Sequence, residues 1–168
     1  MQFKILNLIC THNKNAYCDI ILMNQNNTID YFLKLTWQTV VNKYNAIASQ
    51  HGFTQAAGYI LINIHKEGTP VSQIATSTGV KTTSLSRVLN NLEGLGFIYR
   101  EVSDTDKRSV KVYLTPLGVE KRRIAKDVVR GFNEYLGENL TEEETELLRV
   151  MLIKVNDLAI TYDPEIIV

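Results

Sequence analysis

Asp106 and Arg108 are the residues of this sequence whose types and spacing point most directly to a chemical role. A single residue, Lys107, separates them, so the carboxylate can hold the guanidinium through charge-assisted hydrogen bonds. Lys111 adds a further positive charge nearby. A cationic loop of this kind can enter the minor groove of DNA. The alternative is a solvated loop with a surface ion pair, which contributes little to stability.

The residues around this charged loop predict a β-hairpin followed by a helix. Apolar and polar residues alternate from Val110 to Leu114, which is the period of a half-buried strand. Residues 97–102 supply the preceding strand. Thr115 can cap a helix that begins at Pro116, where the missing N–H costs nothing. The hairpin is therefore expected to hold the charged loop at its tip.

Two short helices joined by a turn at Gly79 are predicted ahead of the hairpin. The first spans residues 71–77, and the second runs from about Thr82 to Leu95. Two helices joined by a tight glycine-containing turn are typical of a helix-turn-helix, whose second helix enters the major groove of DNA. The residues of this second helix that are predicted to contact DNA are Thr82, Thr83, Ser84, Ser86, Arg87 and Asn90.

The residue types in this set suit the two parts of a DNA duplex. Arginine suits guanine and asparagine suits adenine in the major groove, whereas hydroxyl groups suit phosphates or bases. The alternative for Thr82 or Thr83 is a capping role without DNA contact. Four cations are predicted to contact phosphates: Lys81, Arg100, Lys107 and Lys111. Such contacts add affinity and salt dependence rather than sequence preference. A solvated surface is the alternative for each of them.

Longer helices are predicted on both sides of this module. One helix begins at Thr28 and ends at His51. A second is capped by Thr54 and ends at Glu67-Gly68, ahead of an extended joint at Thr69-Pro70. A third runs from Pro116 to about residue 139, and a capping box at Thr141 opens the last helix. The residues assigned to the core face of that last helix are Leu147, Leu148, Met151, Leu152, Val155, Leu158 and Ala159. The helix-turn-helix and its hairpin are too small to cover the apolar faces of these helices. The helices are therefore expected to pack against each other and against a second copy of the chain.

Composition limits the classes of function. The chain has 18 basic and 18 acidic residues and no formal net charge, so any DNA-binding surface must be local. Acidic residues crowd between Glu134 and Glu146, away from the basic hairpin. No apolar run approaches the roughly 20 residues of a membrane span, and a cytoplasmic location is expected. The sequence contains no phosphate-binding glycine loop, no nucleophile–base–acid set and no metal-ligand cluster, so no enzyme, cofactor or metal site is predicted.

Residues 1–28 form a leader of different character, with short apolar patches, an Asn-rich stretch and no sustained period. Met23 is a natural start just ahead of a well-formed helix, so residues 1–22 are expected to be an upstream mis-start or an accessory arm. Mass spectrometry of the native N-terminus would decide between them. Cys10 and Cys18 lie in this leader without an evident cationic partner to lower a thiol pKa, so a redox switch is not favoured.

The order of these elements and two motifs resemble the MarR family of bacterial transcriptional regulators. The more specific motif is the wing, Asp106-x-Arg108 with Val112-x-Leu114-Thr115-x-x-Gly118. The second is the stretch 84–98, which is similar to the family's recognition helix and its exit. The similarity covers nearly everything from about Ile29 to Tyr162. Asn91 departs from it, because many relatives have a basic residue there.

This resemblance implies a mainly α (α+β) fold, a winged helix-turn-helix with a two-stranded wing. Its DNA-binding domain would span residues 67–115, between N-terminal helices at 29–66 and C-terminal dimerisation helices at 116–168. The implied function is that of a sequence-specific DNA-binding regulator, a repressor or an activator with repression expected, that binds a pseudo-palindromic operator as a homodimer. The alternative is a winged-helix module for protein interaction without specific DNA binding. The zero net charge and Asn91 favour this alternative, whereas the Asp106-x-Arg108 tip argues against it.

The resemblance also implies that a small molecule modulates DNA binding. The family's effector cleft would be lined here by Trp37, Tyr44, Tyr59 and His65. Aromatic walls with a few polar groups suit a small apolar or aromatic effector. The alternative is that these side chains belong to the core or to a dimer interface.

Overall fold

The computed structural model describes residues 28–102 and 110–164. The chain divides into two compact units between Asn45 and Ala46, and each unit is described by itself. The predictions for residues 1–27, including both cysteines, lie outside the described residues. So does the predicted hairpin tip with Asp106, Lys107 and Arg108.

Helix α1 (Ile29–Ser49) begins in the first unit and ends in the second. In the first unit, Tyr31 and Phe32 meet edge to face with ring centroids 5.6 Å apart. The helix ends just before Gly52, whose φ of 80° is readily adopted only by glycine. The predicted bounds of this helix are confirmed to within two residues.

Helix α2 (Gln55–Ile62) starts as predicted but ends earlier than the sequence pattern indicates. Thr54 caps it by accepting a hydrogen bond from the backbone N–H of Ala57 at 3.2 Å. The helix stops because the chain turns toward the sheet, where the backbone N–H of His65 donates to Thr69 Oγ1 at 2.8 Å. The buried Ile64 therefore reaches the core from a turn rather than from the helix.

The sheet contains a strand that was predicted only as an extended joint. Strand β1 (Thr69–Pro70) pairs antiparallel with β3 (Val110–Leu114), which in turn pairs with β2 (Ile98–Val102). The two-stranded wing is therefore part of a three-stranded sheet in the order β1-β3-β2. Pro70 lacks a backbone donor and fits at this edge position.

The predicted helix-turn-helix is confirmed. Helix α3 (Val71–Thr78) ends at Gly79, which takes the left-handed conformation with a φ of 65°. Helix α4 (Thr82–Gly94) follows after Lys81, and no side chain caps its start. The alternative that Thr82 or Thr83 serves as the cap is therefore wrong.

Helix α5 (Pro116–Asn139) and helix α6 (Glu142–Thr161) both begin at the predicted caps. Thr115 Oγ1 accepts from the backbone N–H of Gly118 at 3.0 Å. Thr141 and Glu144 form the reciprocal capping box, with bonds of 3.2 Å and 2.9 Å. These starts depend on neighbours three residues away, so the sequence alone predicts them well.

The core of the second unit lies between the helices α2–α5 and the sheet. Its fully buried large apolar residues are Ile60, Leu61, Ile64, Ile74, Leu85, Leu89, Leu92, Ile98 and Val112. Helix α6 contributes no buried residue. The predicted core face of α6, represented by Leu147 and Leu158, is exposed in the single chain, so that assignment is wrong for the monomer.

Candidate nucleic-acid interface

Helix α4 presents a polar stripe to solvent because its buried apolar residues lie on the opposite side, in the core. Leu85, Leu89 and Leu92 are buried and determine the rotation of the helix. Thr83, Arg87 and Asn90 then fall on the opposite face at helical spacing, and all are exposed. This face matches the DNA-contacting face predicted from the sequence.

The hydroxyl-bearing residues of the predicted set lie at the start of the same helix. Thr82, Ser84 and Ser86 are exposed. Ser86 Oγ donates to the carbonyl oxygen of Thr82 at 2.9 Å, so its proton is engaged within the helix. Its oxygen lone pairs remain able to accept from a donor on a base or a protein side chain.

The hairpin formed by β2 and β3 lies directly after this helix. Residues of the two strands are paired from Ile98↔Leu114 to Val102↔Val110. Val102 and Val110 thus stand opposite each other where the predicted tip begins. Lys111, the described residue of the predicted wing contacts, is half-buried and pairs in register with Glu101.

The outward face of this hairpin has an aromatic pair. Tyr99 and Tyr113 are cross-strand neighbours whose rings stack with centroids 5.2 Å apart. Such pairs stabilise a sheet beyond their buried area. Gly68 lies against the Tyr113 ring, where a Cβ atom would overlap with it.

Arg100 connects the hairpin to the recognition helix. Its guanidinium forms an ion pair with Glu93 and donates to Asn90 Oδ1 at 2.8 Å. The hydrogen bonds from Arg100 hold the pKa of the Glu93 carboxyl below its usual range. The sequence predicts Arg100 as a phosphate contact and does not point to Glu93. The sequence signal for the Arg100–Glu93 ion pair is a carboxylate that lies seven residues before an arginine, with a turn between them.

The predicted effector residues lie in different parts of the chain. Trp37 and Tyr44 are on the part of α1 in the first unit, with Trp37 60% exposed. Burial raises the pKa of Tyr44. In the second unit, Tyr59 on α2 is exposed, as is His65 just after that helix. The cleft stays a prediction.

The described part of the chain forms neither a metal site nor a membrane span. No group of three or more histidine, cysteine, aspartate or glutamate side chains there could hold a metal ion. None of the helices formed by residues 28–102 and 110–164 is long and apolar enough to cross a membrane.

Comparison with known proteins identifies the module. Residues 51–109 match the model of the MarR family. Residues 51–109 thus form a MarR-family module. The chain is 24% identical over 111 residues to SarZ, an HTH-type transcriptional regulator of Staphylococcus epidermidis, a match that covers 65% of this chain and 73% of SarZ. It is 33% identical over 89 residues to YcgE, an HTH-type transcriptional regulator of Bacillus subtilis, covering 51% of this chain and 56% of YcgE.

Solved structures of MarR-family proteins share the fold. The reduced form of MarR from E. coli superposes with a TM-score of 0.64 at 25% identity, covering 79% of this chain and 98% of MarR. The structure of a MepR–DNA complex from S. aureus gives a TM-score of 0.72 at 24% identity, covering 77% of this chain and 97% of MepR. The chain is thus a DNA-binding transcriptional regulator with a winged-helix fold, as the resemblance of its motifs implied.

Proposed function

We propose that this MarR-family regulator is a repressor that binds a pseudo-palindromic operator as a homodimer and releases it when a small molecule binds. The observation on which the proposal rests is the exposed polar face of α4 beside the hairpin. Arg87 and Asn90 on that face are of the types that hydrogen-bond to base edges. The protein is expected in the cytoplasm, where its DNA target is found.

The wing completes this interface in the proposed complex. Strands β2 and β3 bring the chain to the tip segment that contains Asp106, Lys107 and Arg108. Arg108 would enter the minor groove with Asp106 orienting its guanidinium, while α4 lies in the adjacent major groove. Lys107 and Lys111 would contact phosphates and contribute salt-dependent affinity.

A homodimer accounts for the surface of the C-terminal helices. Helix α6 buries none of its residues. Its apolar side includes Leu147, Leu148, Met151 and Leu158, which are 48–60% exposed. A contiguous apolar face of this kind is unfavourable in water and is typical of an interaction surface. A twofold dimer would place two α4 helices on half-sites about 34–36 Å apart.

The proposed effector is a small apolar or aromatic molecule. Aromatic side chains with a few polar groups, such as those predicted from the sequence for this role, suit such ligands. The effector would bind more tightly to the state of the dimer that binds DNA poorly. Effector binding would therefore shift the dimer toward that state and lower its affinity for the operator.

Selection of bound duplexes from a randomised DNA pool tests the proposal directly. The wild-type protein should enrich a pseudo-palindrome, with an affinity that falls steeply as salt rises. Arg87→Ala should reduce the discrimination between the selected operator and random DNA, because the base contact is lost and phosphate contacts remain. Enrichment of no sequence at all would contradict the proposed operator binding.

A further inference from the structure

Arg100 on β2 makes contacts with two residues of the recognition helix. Its Nε donates to Glu93 Oε2 at 3.0 Å, and its Nη2 donates to both Glu93 Oε2 and Asn90 Oδ1. Asn90 and Glu93 are three residues apart on α4 and therefore share one side of the helix. The guanidinium thus joins the first wing strand to the C-terminal half of the recognition helix.

These contacts decide which way the amide of Asn90 faces. A guanidinium has donors and no acceptor, so the amide oxygen must be the atom turned toward Arg100. The Nδ2 group, with two donor hydrogens, then faces away from Arg100. Among the described residues, no acceptor is hydrogen-bonded to Nδ2, and Asn90 is exposed on the face of α4 proposed to meet DNA.

Glu93 holds the guanidinium in the position that makes this contact. The Glu93 and Arg100 side chains are 39% and 30% exposed, so water screens the pair only in part. The two nitrogens that bond to one carboxylate oxygen limit rotation of the guanidinium plane. Nη2 is thereby kept within 2.8 Å of Asn90 Oδ1.

We propose that Arg100 is a positioning residue that makes Asn90 a donor-only contact in the major groove, so that Asn90 recognises guanine rather than adenine. The inference rests on the proposed function. A free asparagine pairs with adenine by accepting from N6 and donating to N7. With its oxygen turned toward Arg100, Asn90 cannot present oxygen and nitrogen together to one base edge and offers its N–H groups, and guanine presents two acceptors side by side, N7 and O6.

Selection from a randomised duplex pool with wild-type protein and Arg100→Met tests the inference. The wild type should prefer guanine over adenine at one position of each half-site. Arg100→Met frees Asn90 Oδ1, so this preference should fall by roughly tenfold and shift toward adenine, a change within the usual effect of one bidentate base contact. Thermal melting of both proteins checks that the variant is folded.

Three further variants separate positioning from loss of charge or of structure. Lys111→Met removes a cation from the same sheet and should weaken binding to all sequences without changing the base preference. Asn90→Asp keeps the shape and the contact to Arg100 but has no donor, so it should lose the guanine preference. On an Asn90→Ala background, Arg100→Met should change the base preference no further, because the two residues act through one contact.

Each outcome bears on the inference. If Arg100→Met weakens binding equally to all sequences, Arg100 is a phosphate contact and the inference is wrong. It is equally wrong if Asn90→Asp retains the guanine preference, and this second variant decides the matter if Arg100→Met does not fold. A wild-type protein that enriches no sequence would contradict the proposed function itself, whereas an enriched motif with unshifted variants contradicts only this inference.

Discussion

Thr115 shows how a single hydroxyl can connect separate parts of the chain. Its Oγ1 accepts from the backbone N–H of Gly118 at 3.0 Å and donates to the carbonyl oxygen of Gly96 at 2.7 Å. The backbone N–H of Thr115 also donates to the carbonyl oxygen of Phe97 at 3.0 Å. The start of α5 is thereby bound to the exit of the recognition helix.

Replacing Thr115 by valine should destabilise the protein by about 1–2 kcal/mol. Valine keeps the shape of the side chain but removes the helix cap and leaves the N–H of Gly118 without its partner. Urea denaturation measures the free energy of unfolding. Thr115→Ser retains the hydroxyl and should lie close to wild type, and a similar loss in both variants would refute a role for the hydroxyl.

Gly118 and Gly131 lie in the same helix, α5, and should respond oppositely to alanine. A Cβ atom at Gly118 would overlap with the backbone carbonyl oxygen of Phe97, whereas one at Gly131 meets nothing within 4 Å. Gly118→Ala should therefore cost at least about 3 kcal/mol, because backbone must shift. Gly131→Ala should stabilise the protein by about 0.5–1 kcal/mol through better helix propensity. Thermal and urea denaturation of both variants provide the comparison.

At the scale of elements, the hairpin and α4 form one connected unit. Strand β2 follows the end of α4 after a turn at Gly96, whose φ is 70°. Arg100 links the strand back to the helix, and β1 pairs with the other side of β3. If the hairpin shifts, the recognition helix is therefore expected to move with it.

Arg108→Ala should weaken operator binding by roughly 10- to 100-fold, which corresponds to loss of one charge-assisted contact. The melting temperature should change little, because residues at a hairpin tip contribute little to a core. Fluorescence anisotropy with the selected duplex measures the affinity.

Arg123→Ala is the matched control for this loss of charge. Arg123 is on α5, where its Nη1 bonds to Asp127 Oδ2 at 3.1 Å, and it is not among the residues of the proposed interface. Operator affinity should be near wild type in this variant. Equal losses in Arg108→Ala and Arg123→Ala would mean that overall charge, rather than the wing, determines the affinity.

At the scale of the whole molecule, the exposed apolar face of α6 is the surface proposed to form the dimer. Leu158 is 59% exposed in the single chain. Leu158→Lys should convert the proposed dimer into a monomer, because a charge buried in an apolar interface is costly. Sedimentation velocity measures the oligomeric state, and operator affinity should fall with it.

Leu158→Met is the control for this substitution, since it keeps an apolar side chain of similar size. It should remain dimeric at the concentrations where the wild type does. A Leu158→Lys protein that sediments as a dimer would place the interface elsewhere on the chain.

The sequence by itself determined the features that depend on near neighbours. The caps at Thr54, Thr115 and Thr141 each involve a residue three positions away, and the alternation from 110 to 114 states which side of β3 faces the core. The helix-turn-helix and its exposed polar stripe follow from the spacing of leucines in α4. For the same reason, the candidate DNA-contacting residues of that helix could be named in advance.

Only the tertiary structure decided which distant groups meet. The pairing of Thr69 with Val112 turned a predicted joint into a strand, and the early end of α2 followed from the bond of His65 to Thr69. The orientation of Asn90 depends on Arg100, ten residues away in a different element. Such contacts depend on how elements pack, whereas residue periodicity describes each element only by itself. For this reason the sequence predicted a core face on α6 that is exposed to solvent in the single chain.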